Sequence, residues 1–377
     1  MDKGLENTIN SWNTKLESRK INPKQIKLSE HHILVFSDFH WDHFPKRPQK
    51  LSLNLAGSYN IIYVEYLPSA NSSPQTKITQ ILPSLLVLSI TASNIDAFYS
   101  QLMKMTDDGT TSSIAYIFSL TFSEISSFIL FRKVIYDCMK DACPLKDGGM
   151  GLIKMERKLL KHTYAVVASN RLLFEAKLHH HHNVHYLPAS TYSDETFHQV
   201  NHPHMATTLP AIKGPCIGYA GIIDERIDFI LIRQTAELKP ELNFILIGPV
   251  TVDLDRTQFP SNVYFPGKYE PEYLYFYLEK FDIYMVPFVT CTKMKHLCPS
   301  KILDYMKAKK NILCTNVLGI VREFPLSLTF ISDASDFSSQ ATAIIRKKSA
   351  PNLEMYRYHL ENRRWQCTLS KYRQILK

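Results

Sequence analysis

Residues 216–247 read CIGYAGIIDERIDFILIRQTAELKPELNFILI, and the order of elements in this stretch decides the fold class. CIGYA (216–220) and NFILI (243–247) are short apolar runs with β-branched or aromatic members, and the residues between them, 228–238, carry helical spacing. Strand, helix and strand at this spacing make a βαβ unit with parallel strands. The alternation continues downstream through NVYF (262–265), DIYMV (282–286), NILC (311–314) and LTFI (328–331), with helical stretches at 271–280 and 300–307. Upstream, ILVFS (33–37), IIYVE (61–65), LLVLSI (85–90), IAYIF (114–118), KVIYD (133–137), YAVVA (164–168) and VHYL (184–187) follow the same plan, with helical spacing at 48–56 and 152–162. Residues 188–214 have little periodicity and several breakers, and read as a linker. The expectation is an α/β protein of two Rossmann-like domains, 1–200 and 201–350, facing a central cleft, with a final helix over 351–377. Ligands of such sheets bind outside the C-terminal strand ends.

Composition narrows the function classes. Of 377 residues 45% are hydrophobic, with 20 Tyr and 20 Phe, which excludes disordered and fibrous chains. Only 12 are Gly, so glycine-rich phosphate loops are scarce. The seven cysteines contain no C-x-x-C pair and suggest no disulfide framework, which fits a reducing cytosol. MDKGLENTINSWNTKLESRK at the N-terminus lacks the apolar core of a secretion signal, so the expected location is cytoplasmic. The most apolar stretch, 112–131, is interrupted by Glu124 and reads as a strand followed by a helix rather than a membrane span. The net charge of +9 is uneven: residues 1–300 hold 30 Lys+Arg against 29 Asp+Glu, and residues 301–377 hold 14 against 6. Basic charge gathered at one end points to phosphate or an anionic surface, not to nucleic acid.

Candidate site residues fall at strand ends. SDFHWDHFPKRPQKL (37–51) follows the first strand, gathers Asp38, His40, Trp41, Asp42 and His43 on a loop, and starts a helix at Arg47-Pro48. Free backbone N–H groups and a guanidinium there suit an anion. Asp137 and Asp141 follow another strand, where a carboxylate such as Asp141 can hydrogen-bond an acceptor hydroxyl or act as a base; Asp137, at the strand end, more often caps the following helix. In LIKMERKLLK (152–161), Leu152, Met155 and Leu159 share one arc and Lys154, Arg157, Lys158 and Lys161 the other, which suits core packing beneath a solvated or lipid-facing basic side. Arg226 follows the first strand of the second half. CPSKILDYMKAKK (298–310) begins a helix at Pro299-Ser300, with Lys301 in its first turn for a diphosphate and Asp304 one turn on for a ribose cis-diol. The run His179–His182 and the pair Asp253 and Asp255 lack the mixed, spaced ligands of a structural metal site, and no metal is assigned.

Several of these stretches together resemble bacterial GT-B glycosyltransferases of family 4, in particular the branch that includes teichuronic acid glycosyltransferases. WDHFPKRPQKL is similar to W-D-x-x-x-x-R-P-x-x-L, VIYDCMKD to Y-D-x-x-x-D, and GYAGIIDERID to G-Y-x-G-x-I-D-x-R-x-D. FDIYMVPF and CPSKILDYMKAKKNILC are similar to F-D-x-x-x-x-P-F and S-P-x-K-x-x-E-Y-x-A-x-G-K-P-V-V, in the same order and spacing. The chain departs from the pattern where family 4 carries two glutamates: the second is Asp304 and the first falls on His296. Lys309 and Asn311 replace a Gly and a Pro, and PASTY (188–192) replaces P-N-G-V-D.

The resemblance implies transfer of a sugar from a UDP- or GDP-sugar to a hydroxyl of a glycan or lipid-linked acceptor, with retention, without bound metal and without a tightly bound cofactor. Arg226, Pro299, Ser300, Lys301 and Asp304 would hold the donor. Trp41, Asp42, Arg47, Asp137 and Asp141 would lie on the acceptor side, with Asp141, Arg226 and Lys301 acting in the reaction. The final helix would cross back to the first domain. Cell-surface polysaccharide synthesis at the inner face of the membrane, as a peripheral protein, is the implied setting. A catalytically silent donor-binding subunit and a nucleotide-sugar epimerase of the same fold are the alternatives.

Overall fold

The computed structural model describes residues 27–42, 46–67, 77–140, 149–191, 212–268 and 274–377. The chain divides into two compact units, Met1–Cys138 with Met150–Val167, and Met139–Gly149 with Ala168–Lys377. Most of the expected linker, 192–211, lies outside the described residues.

Eight strands form the first sheet: β1 (His32–Ser37), β2 (Asn60–Leu67), β3 (Lys77–Leu82), β4 (Leu85–Thr91), β5 (Thr110–Ile117), β6 (Leu130–Cys138), β7 (Ala165–Ala168) and β8 (Val184–Tyr186), in the order β3-β4-β2-β1-β5-β6-β7-β8. β1 pairs in parallel with both β2 and β5, and its Ile33, Leu34, Val35 and Phe36 are wholly buried. That double burial is why such strands read as continuous apolar runs. β3 was not expected from the sequence; it pairs antiparallel with β4 at the sheet edge. Helices connect the strands: α1 (Arg47–Leu55), α2 (Ile95–Lys104), α3 (Ile125–Phe128), α4 (Gly149–Leu160) and α5 (Arg171–Leu178). The apolar stretch 112–131 thus runs from β5 through a short helix into β6, and among the described residues no helix is long and apolar enough to cross a membrane.

The second sheet has six strands: β9 (Cys216–Ala220), β10 (Asn243–Ile247), β11 (Val263–Gly267), β12 (Ile283–Val286), β13 (Asn311–Thr315) and β14 (Thr329–Ile331). Their order is β11-β10-β9-β12-β13-β14, every neighbouring pair being parallel. Numbered from β9 this is the 3-2-1-4-5-6 order of a doubly wound dinucleotide-type sheet, whose direction of winding reverses between β9 and β12. Its helices are α6 (Phe229–Leu238), α7 (Leu274–Glu279), α8 (Lys301–Lys307), α9 (Leu318–Glu323) and α10 (Ala334–Lys347). Asp228 caps α6 by accepting from the Leu231 N–H at 2.9 Å, which fixes where the helix leaves the β9 loop.

The C-terminal segment holds two helices, α11 (Leu353–Asn362) and α12 (Trp365–Leu376), where the sequence suggested one. The break has a tertiary cause. Thr191 N–H donates to the Arg363 carbonyl at 2.8 Å and Trp365 N–H donates to the Thr191 carbonyl at 3.0 Å, drawing the backbone at Arg363 and Arg364 out of the helix.

Candidate functional site

In the first unit, the winding reverses between β1 and β5, and the loop that leaves β1 is pinned there. Phe118 N–H donates to the Phe36 carbonyl at 2.8 Å. Trp41 N–H donates to Glu65 Oε2 at 2.6 Å while Ser89 Oγ donates to Glu65 Oε1 at 2.6 Å. The Trp41 ring meets Tyr63 edge-on at 4.9 Å, and Tyr63 OH donates to the Phe39 carbonyl at 2.8 Å. Gln49 Nε2 donates to the His40 carbonyl at 2.9 Å. Trp41 is therefore buried and Asp42 exposed. Glu65 is the residue that sequence reading missed: IIYVE was read as a strand, and its terminal carboxylate was the one available signal.

Arg47 opens α1 and is buried, with Nη1 donating to Asp137 Oδ1 at 3.1 Å; Asp137, near the end of β6, is completely enclosed. The structure thus brings two of the expected acceptor-side residues together as a buried ion pair, with the guanidinium directed at a carboxylate of the fold. Asp141 and His43 lie outside the described residues.

In the second unit, the expected donor residues gather at the reversal between β9 and β12. Lys301 Nζ sits 3.7 Å from the centre of the Tyr219 ring and 5.7 Å from that of Phe288, and the Arg226 guanidinium carbon is 5.9 Å from the same Phe288 ring. Tyr219 belongs to β9 and Phe288 follows β12, so both cations stand at C-terminal strand ends. Arg226 is aimed by Asp224, whose Oδ1 accepts from Nε at 2.8 Å and whose Oδ2 accepts from Nη2 at 2.5 Å. These hydrogen bonds raise the guanidinium pKa further above its already high value. Gly221 ends β9 at φ +147°, and Gly248 ends β10 at φ +145° with its α-carbon so near that a Cβ would stand 1.9 Å from the Gly221 carbonyl oxygen. Only glycine allows both the conformation and that approach.

α8 is seated by Tyr305, which stacks on Tyr284 at 4.3 Å and whose hydroxyl accepts from the Ala220 N–H at 2.9 Å. This joins Lys301 and Asp304, both half-buried on α8, to the end of β9. Pro299 is half-buried and Ser300 exposed at the α8 start. The segment before α8 is clamped: Asn170 Nδ2 donates to the His296 carbonyl at 2.9 Å and Gly319 N–H donates to the Lys295 carbonyl at 2.6 Å. Behind it the buried Glu323 accepts from Arg171 N–H at 2.8 Å and from Tyr186 OH and Arg363. Neither this carboxylate nor the clamp was read from sequence. Two cations beside an aromatic ring, with a side-chain-free strand end below, form a place where a doubly charged phosphate group can be met by protein charge.

No protein-family model matches the chain. Over 114 residues it is 27% identical to TuaH of Bacillus subtilis (strain 168), assigned as a teichuronic acid biosynthesis glycosyltransferase; the match spans 29% of this chain and 28% of that protein. Likeness to solved structures is far more extensive. The sucrose-phosphate synthase of Thermosynechococcus elongatus superposes with a TM-score of 0.66 at 13% identity, covering 92% of this chain and 98% of that one. The chain has the GT-B glycosyltransferase fold. Other structures with this fold include an E. coli trehalose-6-phosphate structure with UDP-2-fluoro glucose bound (TM-score 0.65, 10% identity, 92% and 98% coverage). A Burkholderia xenovorans UDP-forming trehalose-phosphate synthase in complex with glucose-6-phosphate superposes with a TM-score of 0.57 at 11% identity, covering 92% of this chain and 99% of that one.

Proposed function

We propose that this protein is a glycosyltransferase that moves a sugar from a nucleoside diphosphate sugar, UDP- or GDP-linked, to a hydroxyl of a glycan or lipid-linked acceptor. The observation that carries the reading is the placement of Arg226 and Lys301 about one aromatic ring, Phe288, at the reversal of a 3-2-1-4-5-6 sheet. When the bond from the anomeric carbon to the diphosphate breaks, negative charge grows on the leaving phosphate oxygen. Two fixed cations favour that state over the ground state, which is the condition for lowering a barrier rather than merely binding substrate. We assign Asp304 to the ribose hydroxyls and Asp141 to the acceptor hydroxyl, with 201–350 as the donor part and 1–200 as the acceptor part. In this reading the protein's cations neutralise the diphosphate without a divalent ion, the anomeric configuration is retained as in family 4, and the product belongs to a cell-surface polysaccharide. Support comes from the sequence patterns, from the partial match to TuaH, and from a fold shared with a structure holding UDP-2-fluoro glucose.

The test is thermal denaturation with UDP, GDP and their sugars, followed by incubation of the stabilising donor with and without EDTA. A ligand at 100 times its Kd adds about 2.7 kcal/mol of stability, so a nucleotide that binds here raises the midpoint by several degrees. Release of nucleoside diphosphate with an acceptor supports transfer. Binding with no turnover supports the silent subunit, a reading favoured by His296 at the place of a family carboxylate. Conversion of the donor with no acceptor supports the epimerase. No shift with any nucleotide overturns the proposal.

A further inference from the structure

A cavity lies in the second unit, beside α6. The loop that leaves β10 is tied to the end of the β9 loop, where Val250 bridges to Ile223 and Thr251 N–H donates to the Ile223 carbonyl at 2.9 Å. From there it runs along the first turns of α6, and between loop and helix is a space of about 350 Å³, within the range of small-molecule sites. Phe229 and Arg233 of α6 line it together with Asp253, Asp255, Gln258 and Phe259 of the loop. None of these residues belongs to the proposed donor site.

The loop is held in shape by its own side chains. Asp255 Oδ1 accepts from Thr257 N–H at 3.0 Å and from Thr257 Oγ1 at 2.6 Å, and its Oδ2 accepts from Gln258 Nε2 at 3.1 Å, around a single 3₁₀ turn at Arg256–Gln258. Phe259 follows that turn and meets Phe229 edge-on at 6.2 Å and Phe265 of β11 at 5.2 Å. Phe229 and Phe259 are only half-buried, so ring surface is left to the cavity. Asp255 is largely engaged by its turn, whereas Asp253 stands exposed two residues earlier. Arg233 lies 4.0 Å from Glu237, too far for a hydrogen bond, so its N–H groups can serve a ligand.

We propose that this cavity binds a neutral sugar, as a single unit or as one unit of a glycan. A pyranose ring has an apolar face of C–H bonds and a rim of hydroxyls that both donate and accept. Phe229 and Phe259 suit the face, the Asp253 carboxylate can accept from two vicinal hydroxyls, and Arg233 and Gln258 can donate to hydroxyl oxygens. Charge separates this class of ligand from others. Residues 228–238 and 250–259 hold Asp228, Glu237, Asp253 and Asp255 against Arg233 and Arg256, an excess of carboxylates that opposes a nucleotide or a sugar phosphate. Arg233 in the lining opposes a bare cation, and among the described residues no three His, Cys, Asp or Glu gather to hold a metal ion. The inference goes beyond the glycosyltransferase reading and does not rest on it.

The experiment is saturation-transfer difference NMR on the full chain with glucose, N-acetylglucosamine, maltose and N,N′-diacetylchitobiose. At least one of these sugars should receive saturation, most strongly at its ring C–H protons, and should keep it when UDP or GDP is added in excess. Asp253→Asn, on an exposed side chain, should weaken binding roughly tenfold by removing a charged acceptor. Phe259→Ala should weaken it on the order of tenfold through lost apolar contact. Because Phe259 also packs on Phe265, Ile230→Arg gives a variant that does not touch the core: Ile230 lines the cavity with 61% of its surface exposed, and a longer charged side chain there should cut the transfer while the protein melts as the parent does. Thermal melting of each variant establishes that it folds. No saturation of any of the four sugars, its loss on adding UDP or GDP, or parent-like transfer in both Asp253→Asn and Ile230→Arg overturns the proposal. Saturation of a sugar without any response to nucleotide would support it while overturning the donor-site reading, so the two fail separately.

Discussion

Lys301 Nζ rests 3.7 Å above the Tyr219 ring, and a Cβ at Gly221 would stand 2.2 Å from that same nitrogen. The amine therefore occupies space that exists because residue 221 has no side chain. Gly221→Ala should push the amine from the ring and weaken nucleotide binding, besides straining a backbone at φ +147° by about 1–3 kcal/mol. Gly248→Ala meets the Gly221 carbonyl oxygen at 1.9 Å, which cannot swing aside as a lysine can, so it should unfold at lower denaturant. Urea midpoints and nucleotide titrations separate the two effects. Parent-like nucleotide affinity in Gly221→Ala would dissociate the amine's position from the ligand.

The Arg47–Asp137 pair is buried on both sides, so removing one partner takes a charge-assisted contact in the interior away from the other. Arg47→Met or Asp137→Leu alone should cost about 3–5 kcal/mol, and the two together should recover most of the loss. Denaturant unfolding of the three variants checks this. Additive losses in the double variant would mean that the charges are stabilised by groups other than each other.

His359 gives the fold an acid limit. Its ring is enclosed against Phe324 at 4.9 Å, its Nε2 meets Ser327 Oγ at 2.9 Å, and burial together with Arg363 lowers its pKa from 6.5 to about 4, with Glu323 pulling the other way. An unfolded chain takes up the proton first as pH falls, so this contribution to stability is whole above pH 6.5 and is lost progressively toward about pH 4. His359→Gln should flatten the fall of melting temperature across that window. An unchanged slope would assign the acid limit to another group.

The strands were legible where the sheets are buried on two faces: FILI in β10 and LVF in β1 need no partner to be recognised as interior. β3 was missed because KITQIL is a half-buried edge strand, mixing Lys, Thr and Gln with apolar residues so that no continuous run marks it. Arg47 and Asp137, though each was singled out, lie 90 residues apart, and nothing local tells that α1 and β6 set them face to face. Glu65 and Glu323 were invisible for a related reason, since a lone glutamate looks the same whether it is solvated or is the acceptor at the centre of a buried network. The helix break at Arg363 carries no Gly or Pro and comes wholly from pairing with Thr191. By contrast, the approach of Arg226 and Lys301 to one ring was legible because Arg226 lies in the loop after β9 and Lys301 opens the helix after β12, each inside a recognisable pattern, and sheet topology does the rest.

At the proposed donor site, Asp224 distinguishes positioning from charge. If Arg226 and Lys301 meet the leaving diphosphate as proposed, Arg226→Ala and Lys301→Ala each remove a cation from a group that gains negative charge, and should lower kcat by roughly 10²–10³, or about 2.7–4 kcal/mol, with a smaller change in nucleotide affinity. Asp224→Asn keeps the Arg226 charge but loses the carboxylate that accepts from both Nε and Nη2, so the guanidinium can take more rotamers. It should lower kcat less than Arg226→Ala does, and Asp224→Asn combined with Arg226→Ala should be no worse than Arg226→Ala alone, because Asp224 acts through the arginine. Asp304→Asn should chiefly raise KM for the donor by weakening its hold on the ribose, while Asp304→Glu should retain turnover. Steady-state kinetics with the donor found by thermal shift, across all six variants, is the measurement. If Lys301→Ala and Arg226→Ala transfer sugar at the parent rate, the diphosphate is held elsewhere; if Asp224→Asn matches Arg226→Ala, the carboxylate contributes more than the aim of one side chain.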